Sequence, residues 1–168
     1  DNILPGAGSS DLIFRALRHW LTPQSYALIL DPTYGEYAHV LEQVVGCTVD
    51  RLSLSRANDY NVDLACLEEA LADKYDLVVL VNPNSPTGRH IPRAELERIV
   101  RRAPARTRIW VDETYIEYAG ASPGEGAASP ETLAGSSPAP ESLERFAAQS
   151  ENVIVCKSMS KVYALSGA

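Results

Sequence analysis

Lys161 sits in Cys156-Lys157-Ser158-Met159-Ser160-Lys161, directly after the apolar run Asn152-Val153-Ile154-Val155 and directly before Val162-Tyr163-Ala164-Leu165-Ser166-Gly167. A strand that delivers two hydroxyls and an amine into a short loop suits a phosphorylated aldehyde. The amine can form a Schiff base with the carbonyl, and the hydroxyls can bind the phosphate. Taken alone, such a lysine is more often a solvated loop residue, so its meaning depends on what else the chain supplies.

Asp112 closes the apolar run Ile109-Trp110-Val111. A carboxylate at that depth is costly unless something positive meets it. A protonated pyridine nitrogen would do so, and the ion pair would keep the ring a good electron sink. Tyr115, three residues on, can reach a phenolic oxygen on such a ring. The competing reading of Asp112 is a turn former or helix cap. In Asn82-Pro83-Asn84-Ser85-Pro86-Thr87-Gly88, two prolines and a glycine fix a rigid turn, and rigidity matters if an asparagine is to hold a hydrogen bond to a ring substituent.

Tyr34 in Pro32-Thr33-Tyr34-Gly35-Glu36-Tyr37 follows a strand pattern, where its ring can either stack on a flat heterocycle or pack at a helix start. Gly6-Ala7-Gly8-Ser9-Ser10 precedes a helical pattern. It suits an anion held by backbone amides and a helix N-terminus, and equally an ordinary N-cap. No Gly-Lys-Ser/Thr follows it, and the G-x-G-x-x-G fingerprint is absent.

The elements that must position these residues follow from the pattern of apolar runs. Tyr26–Leu30, Leu77–Val81, Arg108–Val111 and Asn152–Val155 each close on polar or turn residues and read as buried strands with their C-terminal ends at one edge. Cys47–Leu54 alternates more and reads as a further strand nearer the sheet edge. Between them, Ser10–Leu21, Tyr34–Val45, Asp63–Ala72 and Arg93–Arg102 carry apolar residues at helical spacing. Strand and helix taking turns predicts an α/β domain with a mostly parallel sheet, in which ligands bind at the carboxyl ends of the strands. One stretch breaks this rhythm. Gly120 to Ser142 is built from Gly, Ala, Ser, Pro and Glu with a single large apolar residue, Leu133, and reads as a mobile surface insertion.

Composition narrows the function classes. The 168 residues make one ordinary domain, and a net charge of -7 with a sequence pI near 4.9 offers nucleic acid no basic stripe. No apolar run reaches membrane-spanning length, so neither membrane nor nucleic acid is an expected partner. Cys47, Cys66 and Cys156 lie far apart and are odd in number, which predicts reduced thiols in a cytoplasmic protein. His19, His39 and His90 show no metal spacing. Lys157, next to the strand end, is expected to point away from Lys161, and Lys74 to be solvated.

Asn84-Ser85-Pro86-Thr87-Gly88, Val111-Asp112-Glu113-Thr114-Tyr115 and Ser158-Met159-Ser160-Lys161, in this order, resemble the fold-type I pyridoxal-phosphate (PLP) enzymes, class I/II aminotransferases. The nearest branch is histidinol-phosphate aminotransferase with its relative threonine-phosphate decarboxylase. The resemblance implies a three-layer α/β sandwich, of which residues 1–168 form part of the large cofactor-binding domain, with the 120–142 stretch as an insertion and the N-terminal segment and small C-terminal domain absent. It implies pyridoxal 5'-phosphate as cofactor, no metal, and a homodimer in the intact protein. Lys161 would be the Schiff-base lysine and Asp112 the partner of the pyridine nitrogen. Tyr115 and Asn84 would contact the ring oxygen, and Tyr34 would stack on the ring. Gly8, Ser9, Ser158 and Ser160 would bind the cofactor phosphate. Asn84 is favoured over Asn82 because its neighbour Ser85 occupies a position the family varies.

The family's phosphate-binding arginine lies beyond Ser166-Gly167, outside this sequence. The implied reaction is transfer of an amino group from an amino acid or amino-alcohol phosphate to a 2-oxo acid. A decarboxylase built on the same cradle, or a non-catalytic fragment or dimerisation module, are the alternatives.

Overall fold

The computed structural model describes residues 2–72, 75–119 and 141–165. Residues 120–140 of the expected 120–142 insertion, Lys74 and the Ser166-Gly167 pair lie outside them. Five strands, β1 (Tyr26–Asp31), β2 (Thr48–Ser53), β3 (Leu77–Val81), β4 (Arg108–Asp112) and β5 (Val153–Cys156), form one sheet in the order β2-β1-β3-β4-β5, and every neighbouring pair is parallel. The alternating 47–54 run is the edge strand β2, with residues exposed or half-buried throughout. β3, read as a continuous apolar run, is buried at every position.

Side chains along a strand leave alternately to opposite faces, so each central strand feeds two cores. On one face Leu28, Leu30, Val78, Leu80, Ile109 and Val111 pack with Leu67 and Leu71 of α3 (Leu64–Leu71) and Leu96 and Ile99 of α4 (Arg93–Val100). On the other, Ala27, Ile29, Leu77, Val79 and Trp110 pack with Ile13 and Leu17 of α1 (Ser9–Trp20) and with Tyr37, Val40 and Leu41. Helices on both faces of a parallel sheet make the three-layer α/β arrangement.

Helix α3 begins where its sequence supplies a start. The Asp63 carboxylate accepts from the backbone N–H groups of Ala65 and Cys66 and opens α3. The expected helix over 34–45 is instead two pieces. α2 (Gly35–His39) runs into a π-helical turn (Val40–Val45), in which Leu41 O accepts from Gly46 N, and Gly46 stops it at φ 77°. The left-handed conformation there favours glycine.

The C-terminal end of the expected insertion also differs from the sequence reading. Ser142 is buried and donates to Glu113 Oε2 at 2.6 Å, and Glu141 accepts from the Arg93 N–H at 2.8 Å, so these two residues belong to the packed domain and lead into a short helix, α5 (Glu144–Ala147). No helix among the described residues is long and apolar enough to cross a membrane.

Candidate active site

All strands run the same way, so their carboxyl ends share one edge. The residues that follow those ends come together there. A cavity of about 100 Å³ is lined by Ser9, Tyr34, Val81, Ser85, Asp112, Thr114, Tyr115 and Lys161. Tyr34 follows β1, Val81 ends β3, Asp112 ends β4 and Lys161 lies beyond β5, while Ser9 begins α1. Of the residues singled out from the sequence, Ser9, Tyr34, Asp112, Tyr115 and Lys161 share this cavity. Gly8, Asn84, Ser158 and Ser160 are not among its lining residues.

Asp112 is buried, and within the chain two hydroxyls and an amide meet its carboxylate. Oδ2 accepts from the Tyr37 hydroxyl at 2.7 Å, and Oδ1 accepts from the Thr114 N–H at 3.0 Å and the Thr114 hydroxyl at 2.6 Å. The Tyr37 oxygen in turn accepts from Trp110 Nε1 at 2.8 Å. Burial, followed by the Asp112 charge, pushes the Tyr37 phenol well above its ordinary pKa, so it stays a neutral donor. Three donors on two oxygens leave carboxylate lone-pair capacity for a further donor, as a protonated ring nitrogen would be.

Asn84 is engaged by its neighbours in the chain. Its amide nitrogen donates to Pro32 O at 3.0 Å and to Thr87 Oγ1 at 2.9 Å, and its oxygen accepts from the Thr33 hydroxyl at 2.9 Å. Both amide hydrogens are thus spent on holding the loop after β1 to the 84–88 turn. Ser85 occupies the cavity wall instead. Asn82 is equally committed, bonding both the N–H and the carbonyl of Ile91 and so closing the base of that turn.

Lys161 is exposed, and its ammonium has no hydrogen-bond or ion-pair partner among the described residues. Lys157 differs in both respects. Its Nζ donates to Glu117 at 3.0 Å and pairs with Glu144 at 2.9 Å, with the side chain only 14% exposed. Ser158 and Ser160 bond one another, 2.8 Å between oxygens. Tyr34 is 41% exposed and stands edge-on to Tyr37, ring centroids 6.1 Å apart. Gly8 precedes α1 at φ 92°, no side chain caps the helix, and among the described residues nothing lies within 4 Å of where a Cβ on Gly8 would stand.

Sequence reasoning missed Thr114, Ser85 and Tyr37. The first two stand inside motifs already singled out, and Tyr37 lies one helical turn after Tyr34, a spacing that places both on one face.

The chain matches the family model described as aminotransferase class I and II over residues 1–168. It is 29% identical over 167 residues to histidinol-phosphate aminotransferase 2 of Carboxydothermus hydrogenoformans, covering 99% of this chain and 41% of that protein. Among solved structures it is similar to a protein of Erwinia carotovora atroseptica provisionally named a histidinol-phosphate aminotransferase, with a TM-score of 0.78 and 29% identity over 99% of this chain and 43% of that one. It is also similar to a decarboxylase from Sulfurospirillum multivorans, with a TM-score of 0.73 and 26% identity over 99% of this chain and 42% of that one. The chain therefore spans about two-fifths of the length of the relatives it matches. With a parallel sheet that gathers the three sequence motifs at one edge and a match running from its first residue to its last, the chain belongs to the class I and II aminotransferase family.

Proposed function

We propose that the full-length protein is a PLP-dependent aminotransferase that moves an amino group between an amino acid or amino-alcohol phosphate and a 2-oxo acid. The observation that carries this reading is the convergence of Lys161, Asp112, Tyr115, Tyr34 and Ser9 on one cavity. Residues 1–168 are read as part of its large cofactor-binding domain. When bound, PLP supplies a carbonyl that takes up the amino group and a ring that draws electrons from the substrate α-carbon.

The chain's own residues then have separable tasks. Asp112 uses its remaining lone-pair capacity to accept the ring N–H and hold the proton there, while Tyr37 and Thr114 fix the carboxylate. Tyr115 and Ser85, rather than Asn84, are assigned to the ring oxygen, because Ser85 faces the cavity and Asn84 does not. Tyr34 covers a ring face. Ser9 and the first-turn N–H groups of the 12-residue α1 offer an anion site, to which Gly8, Ser158 and Ser160 are assigned by their places beside Ser9 and Lys161. Lys161 Nζ, without a polar partner among the described residues, would hold the cofactor and serve as the base and acid that moves the α-proton.

Three free thiols, with Cys66 exposed, support a reducing cytoplasmic setting. A homodimer is proposed from the family. A second reading rests on the Sulfurospirillum decarboxylase, whose fold this chain shares. Incubating the full-length protein with PLP and a panel of amino donors separates the two. A 2-oxo acid formed in step with amination of an added 2-oxo acid supports transamination, carbon dioxide with an amine replaces it by decarboxylation, and neither product sinks both.

A further inference from the structure

After β5 ends at Cys156, residues 157–165 continue as turns, and their internal ties are short-range: Ser158 to Ser160 through their hydroxyls, and Leu165 N–H to Met159 O at 3.0 Å. Among the described residues, the polar side-chain ties from this stretch to the rest of the chain converge on two carboxylates. Lys157 Nζ reaches Glu117 Oε1 at 3.0 Å and Glu144 Oε1 at 2.9 Å, and the Tyr163 hydroxyl donates to the same Glu117 Oε1 at 3.2 Å. Glu117 lies in the single turn Ile116–Tyr118 directly after Tyr115, and its side chain is 6% exposed. One buried oxygen therefore receives hydrogen bonds from residues on both sides of Lys161.

We propose that Glu117 is a positioning residue which, through Lys157 and Tyr163, fixes the turn carrying Lys161 against the loop carrying Tyr115. The proposal rests on the reading of Lys161 as the amine that anchors the cofactor. Among the described residues the exposed Lys161 side chain has no polar partner, so the fold aims it through its backbone. A misplacement of about 1 Å is enough to cost a reaction on the order of a hundredfold. Glu117 holds that backbone at both ends of the turn.

The same contacts separate the two lysines. Burial works against the Lys157 ammonium, but the hydrogen bonds it donates to Glu144 and Glu117 outweigh it and hold its pKa above the ordinary value. Lys157 is thus held as a cation paired with two carboxylates, whereas Lys161 has no such partner among the described residues. Burial and the Glu117 charge also push the Tyr163 phenol up, which keeps it a neutral donor to that carboxylate.

The test uses the full-length protein with added PLP. The PLP dissociation constant, the rate of borohydride trapping at Lys161 followed by mass spectrometry, and the melting temperature are measured for the parent, Tyr163→Phe, Glu117→Ala, the double variant, Lys157→Arg and Lys157→Met. Tyr163→Phe removes one hydroxyl and is expected to weaken PLP binding and slow trapping roughly three- to tenfold with little change in melting temperature. Glu117→Ala should lose at least as much. The double variant should be no worse than Glu117→Ala, because the Tyr163 bond has no acceptor once Glu117 is gone. Lys157→Arg should retain the trapping that Lys157→Met loses. Parent-like binding and trapping in Tyr163→Phe and Glu117→Ala, or losses that multiply in the double variant, overturn the positioning role alone. Absence of trapping at Lys161 in the parent overturns the cofactor assignment and this role with it.

Discussion

Tyr37 donates its hydroxyl hydrogen to Asp112 Oδ2 at 2.7 Å while its own oxygen accepts from Trp110 Nε1, and all three side chains are buried. A buried carboxylate is thereby met by a chain of neutral donors that passes from the sheet through α2 to the cavity edge. The arrangement holds one carboxylate oxygen in place without neutralising its charge, which is what a partner for a cationic ring requires.

Tyr37→Phe removes the donor to Asp112 and leaves the Trp110 N–H without its acceptor. A buried donor left unpaired costs about 1–3 kcal/mol, so the variant's free energy of unfolding should fall by that amount. In the full-length protein, PLP binding should weaken by roughly tenfold as Asp112 loses its orientation. Equilibrium urea unfolding and absorbance titration check the two parts separately.

Asn84 and Ser85 should respond in opposite ways. Asn84→Ala breaks three hydrogen bonds within and around the 84–88 turn and should lower stability by about 1–3 kcal/mol. Ser85→Ala should leave the melting temperature nearly unchanged and weaken PLP binding a few-fold, roughly the worth of one neutral hydrogen bond. A stable Asn84→Ala with impaired cofactor binding would restore Asn84 to the site.

Much of the fold was legible in the sequence because the strands of a parallel sheet, buried on both faces, write themselves as apolar runs. Leu77–Val81 and Tyr26–Leu30 carried that signal. That Asp112, Tyr115 and Lys161 line one cavity was legible because the residues at and after the ends of parallel strands gather at the carboxyl edge. The contacts of Asn84 were not legible because side-chain direction within a tight turn is decided by which backbone carbonyls lie within reach, here Pro32 O from a loop 52 residues away. The break of the 34–45 helix was hidden for a similar reason, since Val40 and Leu41 fit an α-helical pattern as well as a π turn. Ser142 carried no apolar signal at all. Its burial depends on Glu113, 29 residues earlier, and the composition of the stretch before it pointed the other way.

Glu113 gives a pH dependence. It is fully buried, and burial pushes its carboxyl from 4.5 up to about 7, despite bonds from the Leu143 N–H and the Ser142 hydroxyl and the nearby Lys157 charge. A folded pKa raised above the unfolded value means stability present below about pH 4.5 that is lost as pH rises through 7. Compared with Glu113→Gln, whose side chain does not titrate, the parent should lose on the order of 3 kcal/mol over that window. Denaturant unfolding of both proteins across pH 4–8 measures the difference; a gap that stays constant with pH would contradict the raised pKa.

The thiols should differ sharply in reactivity. Cys156 is buried, and burial with the neighbouring Asp112 charge pushes its thiol up to about 12, while Cys47 is buried and also raised. Cys66 is exposed on α3, its pKa raised by the Asp63 charge. Alkylation at neutral pH should modify Cys66 first, and Cys47 and Cys156 only as the protein unfolds, as peptide mapping against time would record.

The central claim is that the Lys161 amine and the Asp112 carboxylate serve one PLP molecule. The most direct measurement is borohydride reduction of the full-length protein saturated with PLP, followed by peptide mapping, in the parent and in Asp112→Ala. The expected result is a reduced cofactor adduct on Lys161 in the parent, with PLP binding weakened at least tenfold in Asp112→Ala. An adduct on Lys157 or elsewhere, or an Asp112→Ala variant that binds PLP as tightly as the parent, would contradict it.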